Sequence, residues 1–183
     1  MASTVVIIGS PRKGNSEAIA LAIAKGAKSK GNSIQEFYLN RLKNGKGCQS
    51  CYGCKKAGRC VVKDDNLTIL DAIRDADSII LSTPTYFGQS SGQFRLLEDR
   101  FFGFLNGDFS PNIAAGKKVA IVETCGGGLD GAKKNADALE AEWKNFFKAD
   151  VVGKIVVGNM MAPDAATKDK ALMKEADDLG KKL

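Results

Sequence analysis

Cys48, Cys51, Cys54 and Cys60 stand in the spacing C-x2-C-x2-C-x5-C. Thiolates this close, wrapped around glycines, let backbone amides point toward a compact sulfide core. Bacterial ferredoxins share C-x2-C-x2-C, but their next cysteine follows after three residues and serves a second cluster. The wider gap here contains Gly58 and would let Cys60 close the same cube, so the spacing favours a [4Fe–4S] cluster. Zinc sites more often pair two C-x2-C knuckles across a longer insert. Zinc, thiol redox chemistry and an empty loop stay as alternatives. The fifth cysteine, Cys125, stands apart and reads as a packing thiol at a strand end.

The chain has no histidine. That removes Ser-His-Asp and Cys-His hydrolysis, HExxH zinc chemistry, histidine-ligated haem and the two-His-one-carboxylate iron site. Chemistry must come from carboxylates, cysteines, lysines, backbone amides or a cofactor. Charge is concentrated where the cysteines are. Residues 40–63 hold Arg41, Lys43, Lys46, Lys55, Lys56, Arg59 and Lys63 and no acid, whereas elsewhere the two signs nearly balance. A basic collar around an anionic metal centre, facing an acidic partner, accounts for this. Nucleic-acid binding is not expected, because no aromatic residues interleave with the cations and no binding motif is present.

Three further loops have unusual chemistry. Gly9-Ser10-Pro11-Arg12-Lys13-Gly14-Asn15-Ser16 nearly matches GxxxxGK[ST], but Asn15 replaces the lysine and no Walker-B aspartate ends a strand. The loop suits a single phosphate held by backbone N–H groups at a helix start, with Arg12 and Lys13 near; an ordinary turn with Asn15 or Ser16 as N-cap is the plain alternative. Thr83-Pro84-Thr85-Tyr86-Phe87-Gly88 follows an apolar strand. There, proline is expected to end the ladder, Gly88 to reverse the chain, and Tyr86 and Phe87 to face a flat ring. Thr124-Cys125-Gly126-Gly127-Gly128 allows close backbone approach to a ligand. A phosphate loop, a ring loop and a close-approach loop describe a planar heterocycle with a monophosphate tail, the shape of flavin mononucleotide.

The elements that must position these loops follow from hydrophobic period. The 183 residues are 44% apolar and 26% charged, which suits one domain over 1–183. Strands are predicted at 4–8, 34–39, 78–82, 119–124 and 151–157, and helices at 15–30, 66–75, 90–104, 131–148 and 167–182. The alternation predicts an α/β fold: a doubly wound, five-stranded parallel sheet with a cysteine-rich loop insertion after strand two, at 40–65. In the first helix Ile19, Ala22, Ile23 and Gly26 share a face; in the fourth, Leu139, Trp143, Phe146 and Phe147 do, which makes Trp143 a core residue. Phe101, Phe102, Phe104 and Phe109 crowd one segment, either as a subunit interface or as a helix end folded over its own core. The start of the chain has no signal-like basic flank and no apolar run approaches bilayer length, so a cytoplasmic protein without membrane contact is expected.

Residues 9–16 and 83–88 resemble the phosphate and isoalloxazine loops of the NADPH-dependent FMN reductase branch of flavodoxin-like proteins. With the cysteines added, nearly the whole chain resembles the iron–sulfur flavoproteins. The resemblance implies FMN held by Ser10, Arg12, Lys13, Asn15 and Ser16, by Pro84, Thr85, Tyr86, Phe87 and Gly88, and by Gly126, Gly127 and Gly128. With it goes a cluster on the four cysteines. It implies an oxidoreductase that moves electrons between a one-electron carrier such as ferredoxin, the cluster, FMN and a small-molecule acceptor. It further implies a homodimer or homotetramer. The alternative is an NAD(P)H-dependent FMN or quinone reductase whose cysteine loop holds zinc or nothing.

Overall fold

The computed structural model describes residues 1–183. Five parallel strands, β1 (Ser3–Ile8), β2 (Ser33–Tyr38), β3 (Ser78–Tyr86), β5 (Lys118–Thr124) and β6 (Asp150–Val157), form the sheet; the two-residue β4 (Gln89–Ser90) folds back antiparallel on β3. The parallel order is β2-β1-β3-β5-β6, the flavodoxin arrangement. The central strands read as nearly unbroken Val and Ile because helices cover both of their faces.

The helices are α1 (Asn15–Ser29), α2 (Gly53–Ala57), α3 (Asp65–Asp75), α4 (Gly92–Glu98), α5 (Asp130–Phe146), α6 (Ala165–Lys168) and α7 (Lys170–Gly180). Strand alternation sends Val6, Ile8, Ile80 and Val122 to one face, where Ile19 and Ile23 of α1 and Leu172 and Leu179 of α7 meet them. Val5, Ile7, Ile79 and Ile121 face the other way, onto Ile69 and Ile73 of α3, Phe94 and Leu97 of α4, and Trp143 of α5. The chain therefore turns to one face after β1 and to the opposite face after the neighbouring β3. The loops following these two strands part and leave a crevice.

Several expectations need correction in detail. Pro84 does not end the ladder: β3 runs on to Tyr86, with Pro84 in register with Thr124. Pairing with β1 stops at Ser82, so beyond that point one side of β3 is an edge, where a missing N–H costs nothing. The helix expected over 90–104 begins at Gly92, capped by the Ser91 hydroxyl, and tightens to a 3-10 helix over Asp99–Phe104. The last helix is split at Asp169, whose side chain caps α7 by accepting from the Leu172 N–H. Phe146 is half exposed, and Phe147 occupies the core beside Trp143 instead. Of the Phe-rich segment, Phe101 and Phe104 are buried against Trp143 and Phe147, as the core reading expects, and Phe109 is exposed.

Helices α1 and α7 touch backbone to backbone, which fixes the direction of α1. A Cβ at Gly26 would run into the Asp177 carbonyl, and one at Gly180 into the Ile23 carbonyl. Gly180→Ala is expected to cost roughly 1–3 kcal/mol, as overpacking does. This is read as a lower urea midpoint at unchanged slope; an unaltered midpoint would show that the contact does not constrain the helices.

Candidate functional site

At the carboxyl edge of the sheet the crevice forms a cleft of about 230 Å³. Ser10, Arg12, Gly14, Asn15 and Ser16 line it from the first loop, Pro84, Thr85 and Tyr86 from the end of β3, and Thr124, Cys125 and Gly126 from the end of β5. Met160 and Met161, beyond β6, complete the wall. Motif reading missed both methionines because no turn or charge signal marks them.

The first loop leaves the start of α1 open. Gly14 holds the N-cap position and no side chain caps the helix, as is also true of α2, α5 and α6, whereas Asp64, Ser91 and Asp169 cap α3, α4 and α7. Neither Asn15 nor Ser16 serves as N-cap. The Asn15 amide donates to the Met160 and Ala162 carbonyls at 3.0 and 2.7 Å and accepts from the Ala166 N–H at 2.9 Å. Ser16 is buried, and its carbonyl accepts from the Ser82 hydroxyl. Ser10 Oγ donates to the Arg12 carbonyl at 2.6 Å, which holds the loop in its turn. Arg12 reaches the Met161 carbonyl at 3.3 Å on the cleft rim, but Lys13 lies on the outer side of the loop with Glu17 and Leu21. Uncapped N–H groups at the positive end of a fifteen-residue helix have the chemistry to receive an anion.

The second loop is a hairpin. Phe87 and Gly88 adopt φ values of 51° and 77°, as its two-residue reversal between Tyr86 and Gln89 requires. Phe87 stands fully exposed at the tip, outside the cleft, and Tyr86 is half exposed at its mouth. Behind the hairpin sits Glu123, 0% exposed. Thr85 Oγ1 and Glu123 Oε2 are 2.6 Å apart, and Asn135 donates to Oε1 at 2.6 Å and to the Ser90 hydroxyl at 2.8 Å. Burial pushes the Glu123 carboxyl up to about 8, against the hydrogen bonds from Thr85 and Asn135. A single acid at the end of the apolar run 119–124 was its available sequence signal. Of the three glycines in the third loop only Gly126 lines the cleft, and the Gly127 carbonyl accepts from the Asn159 N–H. Cys125 also lines the cleft, and its thiol donates to the Gly127 and Gly128 carbonyls. The cleft, with its open helix start and strand-edge hairpin, fits a phosphorylated planar ring.

The cysteine segment runs from β2 to α3 and is laced to the fold by two aspartates. Asp65 accepts from the Lys43 and Asn44 N–H groups, and Asp64 accepts from the Lys46 N–H. Arg100, 1% exposed, holds both limbs: its guanidinium donates to the Lys46 and Val62 carbonyls, to Asp64 at 2.9 Å and to Cys60 Sγ at 3.2 Å. Burial raises the Asp64 carboxyl, but the hydrogen bonds from Arg100 and the Lys46 N–H outweigh it and hold the group below the usual carboxylate value. A lone arginine leading into Phe101 and Phe102 was the only trace of this clasp in the sequence.

Cys54 is buried in α2, Cys60 is half-buried, and Cys48 and Cys51 are exposed. Their sulfurs are not gathered: no group of three or more cysteine and carboxylate side chains is close enough to hold a metal ion. The four cysteines expected to hold a cluster thus share one segment without converging on one point in this structure. The donor set itself suits a thiophilic centre, and Ser50 and Tyr52 between the cysteines have left-handed φ of 50° and 54°. Such turns aim backbone N–H groups inward at an anion. The collar is thinner than its composition: Lys55 donates to the Phe102 and Leu105 carbonyls over the Phe102 ring. Arg41, Lys43, Lys46, Lys56, Arg59 and Lys63 remain exposed. Arg100→Met leaves Asp64 as an unpaired buried charge and is expected to cost roughly 3–5 kcal/mol in urea unfolding. Adding Asp64→Asn should recover part of that loss; strictly additive losses would contradict the clasp.

The model of the NADPH-dependent FMN reductase family matches residues 2–164. An iron–sulfur flavoprotein of Methanosarcina thermophila is 29% identical over 178 residues, covering 97% of this chain and 91% of that protein. One from Methanocaldococcus jannaschii is 30% identical over 189 residues, covering 97% and 93%. Among solved structures, an NAD(P)H:quinone oxidoreductase of Methanothermobacter marburgensis superposes with a TM-score of 0.71 at 16% identity, covering 98% of this chain and 94% of that one, which shows a shared fold. No helix is long and apolar enough to cross a membrane. With the phosphate-loop, hairpin and glycine-loop geometry in place, the chain belongs to the iron–sulfur flavoprotein family of the NADPH-dependent FMN reductase superfamily, a group of redox flavoproteins.

Proposed function

We propose that the chain holds FMN in the strand-end cleft and a [4Fe–4S] cluster on Cys48, Cys51, Cys54 and Cys60, and exchanges electrons between an acidic one-electron carrier such as ferredoxin and a small-molecule acceptor. The observation that carries this reading is the uncapped start of α1 facing the β3 hairpin across one cleft. Bound FMN supplies one- and two-electron chemistry, and an iron–sulfur cluster supplies single-electron transfer.

The residues of the chain have separable tasks. The first N–H groups of α1 bind the phosphate, with Arg12 at the rim. Asn15 locks that loop to residues 160–166. Thr85, Tyr86 and Gly126 bound the space for the ring. Arg100 keeps Cys60 in place and offsets negative charge at its sulfur. The exposed cations around the cysteine loop attract an acidic carrier. Side-chain acid–base chemistry by histidine is not required of this site, since the cofactors carry the electron chemistry.

The groove of about 560 Å³ beside Phe102, Leu105, Phe109 and Phe146 suits a second copy of the chain, as a homodimer or homotetramer. Phe109 is 61% and Phe146 50% exposed there, large apolar surfaces that association would cover. Sedimentation equilibrium is expected to return a multiple of 19.4 kDa; a monomer at all concentrations would remove this part of the reading.

Anaerobically purified protein should be yellow-brown and contain iron, acid-labile sulfide and FMN. Cys54→Ala is expected to lose the broad iron–sulfur absorption and keep the flavin bands, because the cleft and the cysteine segment are built by different loops. Zinc or no metal, with flavin retained, would favour the NAD(P)H-dependent reductase reading. Colourless protein would overturn both.

A further inference from the structure

We infer that Glu123 is a positioning residue for the flavin and acts through Thr85: the proton on its carboxyl sets which way the Thr85 hydroxyl hydrogen points at the cleft. This rests on the assignment of the cleft to FMN. Glu123 closes the apolar face of β5 and is wholly buried without an ion pair. The groups facing it are Thr85 from β3, Ser90 from β4, Asn135 from α5 and, further off, Glu98 from α4. None is a cation, so burial outweighs the hydrogen bonds and the carboxyl ionises only near pH 8.

Donor and acceptor counting then fixes the pattern. Asn135 can only donate through its Nδ2, so Glu123 Oε1 is an acceptor in either state. With Oε1 accepting from Asn135, and the Ser90 hydroxyl also taken by Asn135, the acid proton falls to Oε2, whose hydrogen-bond partner is Thr85 Oγ1 at 2.6 Å. Thr85 lines the cleft, and with its oxygen occupied from behind its own hydrogen is free to donate into the cleft. Once Glu123 loses its proton, both carboxylate oxygens accept and the Thr85 hydrogen turns back to Oε2. The cleft thereby loses one donor. The sign follows: the donor faces the cleft below about pH 8 and is withdrawn above it.

The test measures FMN dissociation constants by flavin fluorescence from about pH 6.5 to 9.5, a span that brackets the carboxyl. Wild type, Glu123→Gln and Thr85→Val are compared, each first shown to be folded by circular dichroism. The wild type should weaken by about fivefold across the range, the equivalent of one ordinary hydrogen bond. Glu123→Gln keeps a permanent donor toward Thr85 and should hold the low-pH affinity throughout. Thr85→Val, which removes the hydroxyl, should be flat at the weaker level. A role in stability alone would lower the unfolding midpoint without removing the pH slope. Equal slopes in wild type and Glu123→Gln, or a flat wild type, would overturn the inference. Failure of the wild type to bind FMN at any pH would instead overturn the assignment of the cleft itself, and this inference with it.

Discussion

The site depends on the reversal of strand order between β1 and β3. Parallel strands deliver all their carboxyl ends to one edge, and right-handed crossovers then decide the face each helix takes. β1 leads away toward β2 and β3 leads away toward β5, so α1 and α4 fall on opposite faces. Only at that junction do adjacent loops separate enough to admit a ligand. The Gly26–Gly180 contact holds α1 in line with this opening, and the missing cap leaves its amides free to meet an anion.

Among the buried ionisable groups, Arg100 and Glu123 each stand behind one of the loops of the site. Arg100 is compensated by Asp64 and by backbone carbonyls, so it stays charged and ties the cysteine segment to the 3-10 helix over Asp99–Phe104. Glu123 has no counter-ion and stays neutral, tying the hairpin to α5. The difference is electrostatic: Arg100 has the Asp64 carboxylate to offset its desolvation and keeps its charge, whereas Glu123 has no cation beside it and burial favours its neutral form. Local departures from the apolar pattern are where a fold yields stability to function.

Much of this was legible in the sequence because the signals are local. Apolar runs and 3.6-residue periods gave every parallel strand and the main helices, and the small-residue loops after β1, β3 and β5 do meet in one cleft. What escaped was long-range. Asn15 looked like a cap but is bonded across 145 and more positions to the 160–166 segment. Pro84 looked like a terminator, and only the sheet neighbours show that its missing N–H falls on an edge. Lys13, Phe87, Gly88, Gly127 and Gly128 belong to the right loops but are not among the residues that line the cleft, since motif membership does not fix which residues of a loop face inward. Arg100 and Glu123 needed partners 36 and 38 positions away, which no spacing rule supplies. The cysteine spacing identifies a donor set, but local spacing does not say whether its sulfurs converge, and here they do not.

The central claim is that the open start of α1 receives the phosphate of a flavin. Parallel titrations of the flavin-free protein with FMN and with riboflavin, which lacks that phosphate, address it directly. Amides at a helix start should favour FMN by at least about tenfold, since a partly buried anion there gains on the order of 1–2 kcal/mol. Equal affinities for the two flavins, or a preference for riboflavin, would contradict the account.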